Sequence, residues 1–207
     1  MKREEKNAIS MQKILDSART EFAERGYGQS SVNTICSNGE LSKGILYHYF
    51  KDKDALYLAC MERCFQALTA YLSRYGTCAG GGVAQRLDAY FSARFQFFHE
   101  HPAEEALFFE AVMSPPEPLK QRLAEIRAPF DRLNIEILDS ILSEATLRTD
   151  VSRQEVIDTF RDYQDFMNAR SWAAAGAAIP FAEREQACKK AVLILLYGVM
   201  QPGKEQQ

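Results

Sequence analysis

Histidine is scarce in this chain: three in 207 residues, with a single tryptophan. Two of the histidines, His99 and His101, flank Glu100. Residues two apart point to different sides of a helix, so this trio does not form a metal site. No Cys-His-Asp constellation stands at a workable spacing, so catalysis is not expected, and no cofactor is expected. No run of about 18 apolar residues occurs; the richest stretch, Ala191 to Met200, is about half that, so no membrane span is expected. The opening Met1-Lys2-Arg3-Glu4-Glu5-Lys6 lacks the apolar core of a secretory leader. The five cysteines are odd in number and scattered through helical patterns, which suits a reducing, cytoplasmic setting better than a disulfide framework. Strand patterning is nearly absent, and the net charge of −3 gives no overall basic character.

What remains is helix. With 46% apolar residues the chain can build a real core, and its 207 residues suit one large domain or two modest ones. Ile14, Leu15, Ala18 and Phe22 recur at helical steps, and Gly26 follows as a stop. Ser30 or Ser31 can cap a short helix, Ser42 another, and Asp52 a longer one reaching about Tyr75. Thr77 to Gly82 is the clearest break. Further helices are predicted from Val83 to Glu100, from Pro102 to Met113, and from Glu117 to Ala145 with Pro129 inside, the last opened by Ser114-Pro115-Pro116-Glu117. Ser152-Arg153-Gln154-Glu155 is a capping box that starts a helix to about Ala178, and a last helix spans Ala182 to Met200. The fold class is therefore all-α, with about nine helices.

The segment from Ser30 to Leu56 is the most informative. It predicts a short helix, a tight turn and a second short helix. Val32, Ile35, Leu41, Leu46 and Phe50 face inward, leaving Lys43, Gly44, Ile45, Tyr47, His48 and Tyr49 outward. A small helix with a lysine, an imidazole and phenols on its outer face suits the major groove of DNA. Residues 1–58 hold nine Lys/Arg against eight Asp/Glu, whereas the remainder holds 16 against 20.

Ala18-x3-Phe22-x3-Gly26-Tyr27, then Ser31-x3-Ile35-Cys36, then Leu41-Ser42-Lys43-Gly44-x-Leu46-Tyr47-His48-Tyr49-Phe50-x2-Lys53-x2-Leu56 closely resembles the tetracycline-repressor-like (TetR) family. The resemblance covers about the first 58 residues. It implies a helix-turn-helix DNA-binding domain over 1–58 and a helical ligand-sensing and dimerisation domain over 59–207. It further implies a homodimer on double-stranded operator DNA, with recognition helices roughly 34 Å apart, and a small-molecule effector that releases the repressor. One departure stands in the turn. The family usually shows Ala-Gly-Val before Ser-Lys-Gly; here it is Gly39-Glu40-Leu41, which puts a glutamate where positive φ is often needed.

Roles follow from chemistry. Lys43, Tyr47, Tyr49 and Lys53 would reach phosphates, and so would the hydroxyls and amides of Ser30 and Ser31. Gly44 and Ile45 would allow close approach, Ile45 meeting a thymine methyl, while Tyr47 and His48 would read bases. In the second segment Leu87, Phe91, Phe95 and Phe98 form a stripe that is most simply core. Tyr90, Arg94 and Phe97 lie on a neighbouring face. That face is either a surface arginine with an acidic partner or one wall of a cavity with a cationic anchor. Phe109, Met113, Tyr163 and Met167 would complete such a ligand site. Val156, Phe160, Tyr163, Met167 and Ala174 to Ala178 on one helix, and Ala187, Ala191, Ile194, Leu195 and Gly198 on the last, supply the expected dimer faces; closure of the chain's own core is the alternative. Two rival functions stay open: a thiol-based redox regulator using Cys60 and Cys64, which share a helix face, and a helical DNA-binding protein without a ligand.

Overall fold

A computed structural model describes residues 3–77, 80–143, 145–173 and 181–199. Nine α-helices occur among them: α1 (Arg3–Gln29), α2 (Val32–Asn38), α3 (Lys43–Tyr49), α4 (Lys53–Tyr75), α5 (Val83–Glu100), α6 (Pro102–Met113), α7 (Lys120–Ser143), α8 (Arg153–Ala173) and α9 (Phe181–Val199). The chain is all-α, as its periodicity implies. It separates into two compact units, one of Met1–Ala67 with Glu100–Ala128 and one of Leu68–His99 with Pro129–Gln207.

In the first unit, α1 buries Ile14, Leu15, Ala18 and Phe22, four residues on one helical face. Opposite them lie Leu56, Tyr57, Cys60, Met61 and Cys64 of α4 and Leu107, Phe108 and Ala111 of α6. The α1 helix packs against α6, α2 and α3. Arg19 of α1 pairs with Glu104 of α6 at 2.8 Å. Gly26 interrupts α1 with φ 68°, ψ 170°, so the predicted stop is real, although a last turn continues to Gln29.

Capping explains the next boundaries. Ser31 Oγ accepts from the Asn33 amide at 3.2 Å and opens α2. Ser42 Oγ accepts from the Ile45 amide at 3.2 Å and opens α3. Asp52 Oδ1 accepts from the Ala55 amide at 2.8 Å, ahead of α4. Each satisfies an amide that the helix itself leaves unpaired.

In the second unit, α5 buries Leu87, Tyr90, Phe91, Ala93, Arg94, Phe97 and Phe98. The α7 helix contributes Phe130, Ile137, Leu138, Ile141 and Leu142, α8 Val156 and Ile157, and α9 Val192 and Leu196. Polar ties join the helices: Arg86 donates to the Ser140 carbonyl at 2.9 Å, and Tyr90 donates to Asn134 Oδ1 at 2.6 Å. The capping box is formed, with Ser152 N–H donating to Glu155 Oε2 at 2.7 Å and Glu155 N–H to Ser152 Oγ at 3.2 Å.

Three expectations change. Phe95 is exposed and stacks on His99 at 5.9 Å, because the buried face of α5 centres on Tyr90–Phe91, Ala93–Arg94 and Phe97–Phe98. The Ser114–Glu117 stretch does not cap a long helix: Ser114 closes α6, and a 3₁₀ turn, Glu117–Leu119, precedes α7. Arg94 is a buried side chain and not a surface one. The predicted extensions of α8 to Ala178 and of α9 to Met200 lie outside the described residues.

Candidate nucleic-acid interface

The α3 helix is seven residues long and buries only Leu46. Around that one anchor Lys43, Gly44, Ile45, Tyr47 and His48 all face outward. Ile45 is 41% exposed and Tyr47 49% exposed, high values for an isoleucine and a tyrosine that no described element covers. The outer face thus presents a cation, a methyl-bearing side chain, a phenol and an imidazole side by side, the donor and apolar set that base edges and phosphates require.

The turn before α3 is tight. Glu40 takes φ 52°, in the left-handed region, while Gly39 has an ordinary φ of −82°. Gly39 is needed for space: a Cβ there would lie 2.9 Å from Leu41 Cδ1 and 3.2 Å from both the Ile35 carbonyl oxygen and Ser17 Cβ. The glycine therefore permits close approach of α1 and α2, and the neighbouring glutamate carries the unusual backbone angle.

The other residues expected at the interface are more committed to the fold. Ser30 is buried, and its hydroxyl donates to the Tyr27 carbonyl at 2.8 Å. The Ser31 amide donates to Glu21 Oε1 at 2.9 Å, and its hydroxyl caps α2. Glu21 is itself only 2% exposed, a buried carboxylate that the sequence reading passed over. Lys53 is turned inward: Nζ donates to the Tyr27 carbonyl at 2.6 Å and the Ser30 carbonyl at 3.3 Å, and lies 4.4 Å from the centre of the Tyr27 ring. Tyr49 is half-buried, with its hydroxyl donating to the Asn7 carbonyl at 3.3 Å and its ring edge-on to His48 at 5.0 Å. The exposed patch is therefore narrower than expected and centres on Lys43, Ile45, Tyr47 and His48.

Comparison with known proteins decides what this motif is. Residues 14–60 match the family model of bacterial regulatory proteins, tetR family. Over that segment the chain is similar to the tetR family. The HTH-type transcriptional repressor Rv1474c of Mycobacterium tuberculosis is 38% identical over 69 residues, 33% of this chain and 37% of that protein. The biofilm operon icaADBC HTH-type negative transcriptional regulator IcaR of Staphylococcus epidermidis is 24% identical over 130 residues, 63% of this chain and 66% of that protein. The chain thus spans between about a third and two thirds of these relatives. A crystal structure of a TetR-like transcriptional regulator from Rhodococcus sp. RHA1 shares the fold with a TM-score of 0.66 at 22% identity, covering 92% of this chain and 97% of that one.

The tetR fold extends past the matched segment, but the expected ligand residues do not gather in one place. Within the second unit Tyr90 lines a small cavity with Leu87, Phe91, Asn134, Ile137, Leu138, Ile141 and Phe160. Its volume of about 20 Å³ holds little more than one water-sized group. Arg94 and Phe97 are buried in the same unit without lining it. Phe109 and Met113 are half-buried on α6 in the first unit. Tyr163 is half-buried on α8, and the Met167 side chain lies outside the described residues. Asn134 and Phe160 were missed because a lone asparagine on an amphipathic helix, or a phenylalanine within an apolar stripe, carries no signal of its own.

The two thiols considered for redox chemistry are buried. Burial pushes Cys60 up to about 12, and Cys64 is raised too, first by burial and then by the Glu104 carboxylate. Thiols held protonated in this way are poor nucleophiles, so the redox reading loses its basis. No helix among the described residues is long and apolar enough to cross a membrane.

Proposed function

We propose that this chain is a dimeric, ligand-responsive DNA-binding transcriptional regulator of the tetR family, a repressor that a small molecule releases from its operator. The observation that carries the reading is the outer face of α3, where Lys43, Ile45, Tyr47 and His48 stand exposed around the single buried anchor Leu46. Residues 1–58 form the DNA-binding domain and 59–207 the sensing and dimerisation domain. Lys43 contacts phosphate, Gly44 and Ile45 permit close approach, and Tyr47 and His48 read bases, while Ser30, Ser31, Tyr49 and Lys53 support the frame. The protein works in the cytoplasm and needs no cofactor.

Dimerisation falls to α9, where Ile194 is 63% exposed and Tyr197 58% exposed, too much apolar surface to leave in water. On α8, Val156 is buried in its own unit and is not part of that face. The effector site lies among helices α5, α7 and α8, beside the Tyr90–Asn134 pair, where the cavity must widen to admit a ligand. To release the operator, an effector must favour the non-binding state by a few kcal/mol. Relatives named as transcriptional repressors support the reading.

Selection of bound duplexes from random DNA, followed by footprinting, tests this function. A palindromic site with half-sites about one helical turn apart is the expected result. Uniform coating of all sequences would leave only non-specific binding, and a 1:1 complex on an asymmetric site would remove the dimer. A small-molecule screen against the resulting complex then tests the effector.

A further inference from the structure

A carboxylate on α6 grips the segment that leads into the helix-turn-helix. Glu110 Oε1 accepts from the Tyr27 backbone amide at 2.7 Å, and Oε2 accepts from the Tyr57 hydroxyl at 2.8 Å. Three elements of the first unit meet there: the end of α1, α4 and α6. The residue before Tyr27 is a glycine in the left-handed region, close against the carboxylate. A Cβ on Gly26 would stand 2.8 Å from Glu110 Oε1, and the φ of +68° is one that side chains rarely adopt.

From Tyr27 the connection continues toward the DNA-facing helices. The Tyr27 carbonyl accepts from Ser30 Oγ at 2.8 Å and from Lys53 Nζ at 2.6 Å. The Tyr27 hydroxyl donates to Asp54 Oδ1 at 2.5 Å. The amide of Ser31, the N-cap of α2, is held by Glu21. Tyr57 is buried, with its ring edge-on to both Phe22 and Tyr27 at 5.0 Å, so its hydroxyl has little freedom to look elsewhere.

We propose that Glu110 is a positioning residue for DNA recognition: its carboxylate ties α6 to the Gly26–Ser31 connection and to α4, and so sets where α2 and α3 lie. The inference rests on the DNA-binding function above and names the residue through which α6 enters it. A leucine would fill the same volume. It would, however, leave the Tyr27 amide and the buried Tyr57 hydroxyl without an acceptor, whereas the carboxylate takes two directional, charge-assisted bonds that specify geometry. Because both oxygens are engaged, a shift of α6 that stretches these bonds well past about 3.2 Å weakens both together.

The test compares Glu110→Gln, Tyr57→Phe and Leu107→Ala in the full-length protein. Glu110→Gln keeps the shape but turns an amide NH2 toward one of two donors; Leu107→Ala thins the buried face of the same helix without touching the carboxylate. Two quantities are read: hydrogen exchange at the amides of residues 27–31 and of α3 without DNA, and the ratio of affinities for the selected and a scrambled duplex. Glu110→Gln and Tyr57→Phe should each speed that exchange and lower the ratio by about tenfold, the loss of one bond to a charged group. Leu107→Ala should lower the melting temperature and leave the ratio at the wild-type value. A wild-type ratio in Glu110→Gln overturns the proposal, and so does an equal fall in Leu107→Ala. If the wild-type protein selects no sequence, the DNA-binding reading has failed instead. The exchange data then still decide whether Glu110 positions α3: unchanged exchange rejects it.

Discussion

Lys53 Nζ donates to the backbone carbonyl of Tyr27 at 2.6 Å and sits 4.4 Å from the centre of the same residue's ring. One lysine thereby closes the chain between α1 and α2 against the first turn of α4. With a further bond to the Ser30 carbonyl, two of its three donors are engaged. Its main service is to the frame that carries α3.

This separates two lysines that look alike in sequence. Lys43→Ala should leave the urea midpoint unchanged and flatten the salt dependence of DNA binding by about one unit. Lys53→Ala should cost about 1–2 kcal/mol of stability, a bond from a charged group in a half-buried site. Urea unfolding alongside binding titrations from low to high salt distinguishes them; an unchanged slope in Lys43→Ala ends its phosphate role.

Tyr47 tests the reading head itself. Tyr47→Ala should weaken the selected duplex by about 1–3 kcal/mol and leave scrambled duplex nearly unaffected, because a base reader carries sequence information and a phosphate contact does not. Competition binding with both duplexes measures this. Equal losses on the two would move Tyr47 to the backbone.

The turn offers a stability test. Glu40 pays for a φ of 52° that glycine adopts readily. Glu40→Gly should therefore stabilise the protein by up to about 1 kcal/mol, less the entropy glycine adds to the unfolded chain. Gly39→Ala should destabilise it, since the new Cβ would press on Leu41 and the Ile35 carbonyl. Urea midpoints of both variants check the pair, and the opposite order would show that the turn is built differently.

High pH should loosen the first unit. The bond to Asp54, helped by burial, lifts the Tyr27 phenol to about 12; burial, then the Glu110 carboxylate, lifts Tyr57; burial lifts Cys60 to about 12. All three keep their protons in the folded chain beyond the pH at which the unfolded chain releases them. The stability they contribute is complete below the unfolded values, about 8.5 for cysteine and 10 for tyrosine, and drains away as the pH climbs toward 12. Urea midpoints measured from pH 8 to about 12 should fall, and Tyr57→Phe should flatten the fall. A parallel fall in that variant would remove Tyr57 from the account.

Much of the site was legible along the chain. The 3.6-residue periodicity of Ile14 to Phe22, the caps Ser31, Ser42 and Asp52, and the inward–outward division of α3 all come from local rules that act within one or two turns. The same rules identified Tyr47 and His48 as outward, because only Leu46 among their neighbours had a core to fill. The caps could be found because a hydroxyl or carboxylate two or three residues before a free amide needs no partner from elsewhere.

What local rules could not supply is the choice of partner across the fold. Lys53 and Lys43 are both exposed-looking lysines near a helix start, yet only one meets the carbonyls of residues 27 and 30, about two dozen positions earlier. Glu110 is an ordinary helical glutamate until α6 lies against α1 and brings its two oxygens to Tyr27 and Tyr57. Phe95 is turned outward although its spacing matched the buried stripe, because the helices that cover α5 approach from the side of Tyr90 and Phe97. The sequence alone determined which segments coil and which short helix is displayed, since those depend on neighbours three or four residues away. Only the tertiary structure decided which polar groups are spent inside, because a hydrogen bond between distant residues forms only where packing brings donor and acceptor within about 3 Å.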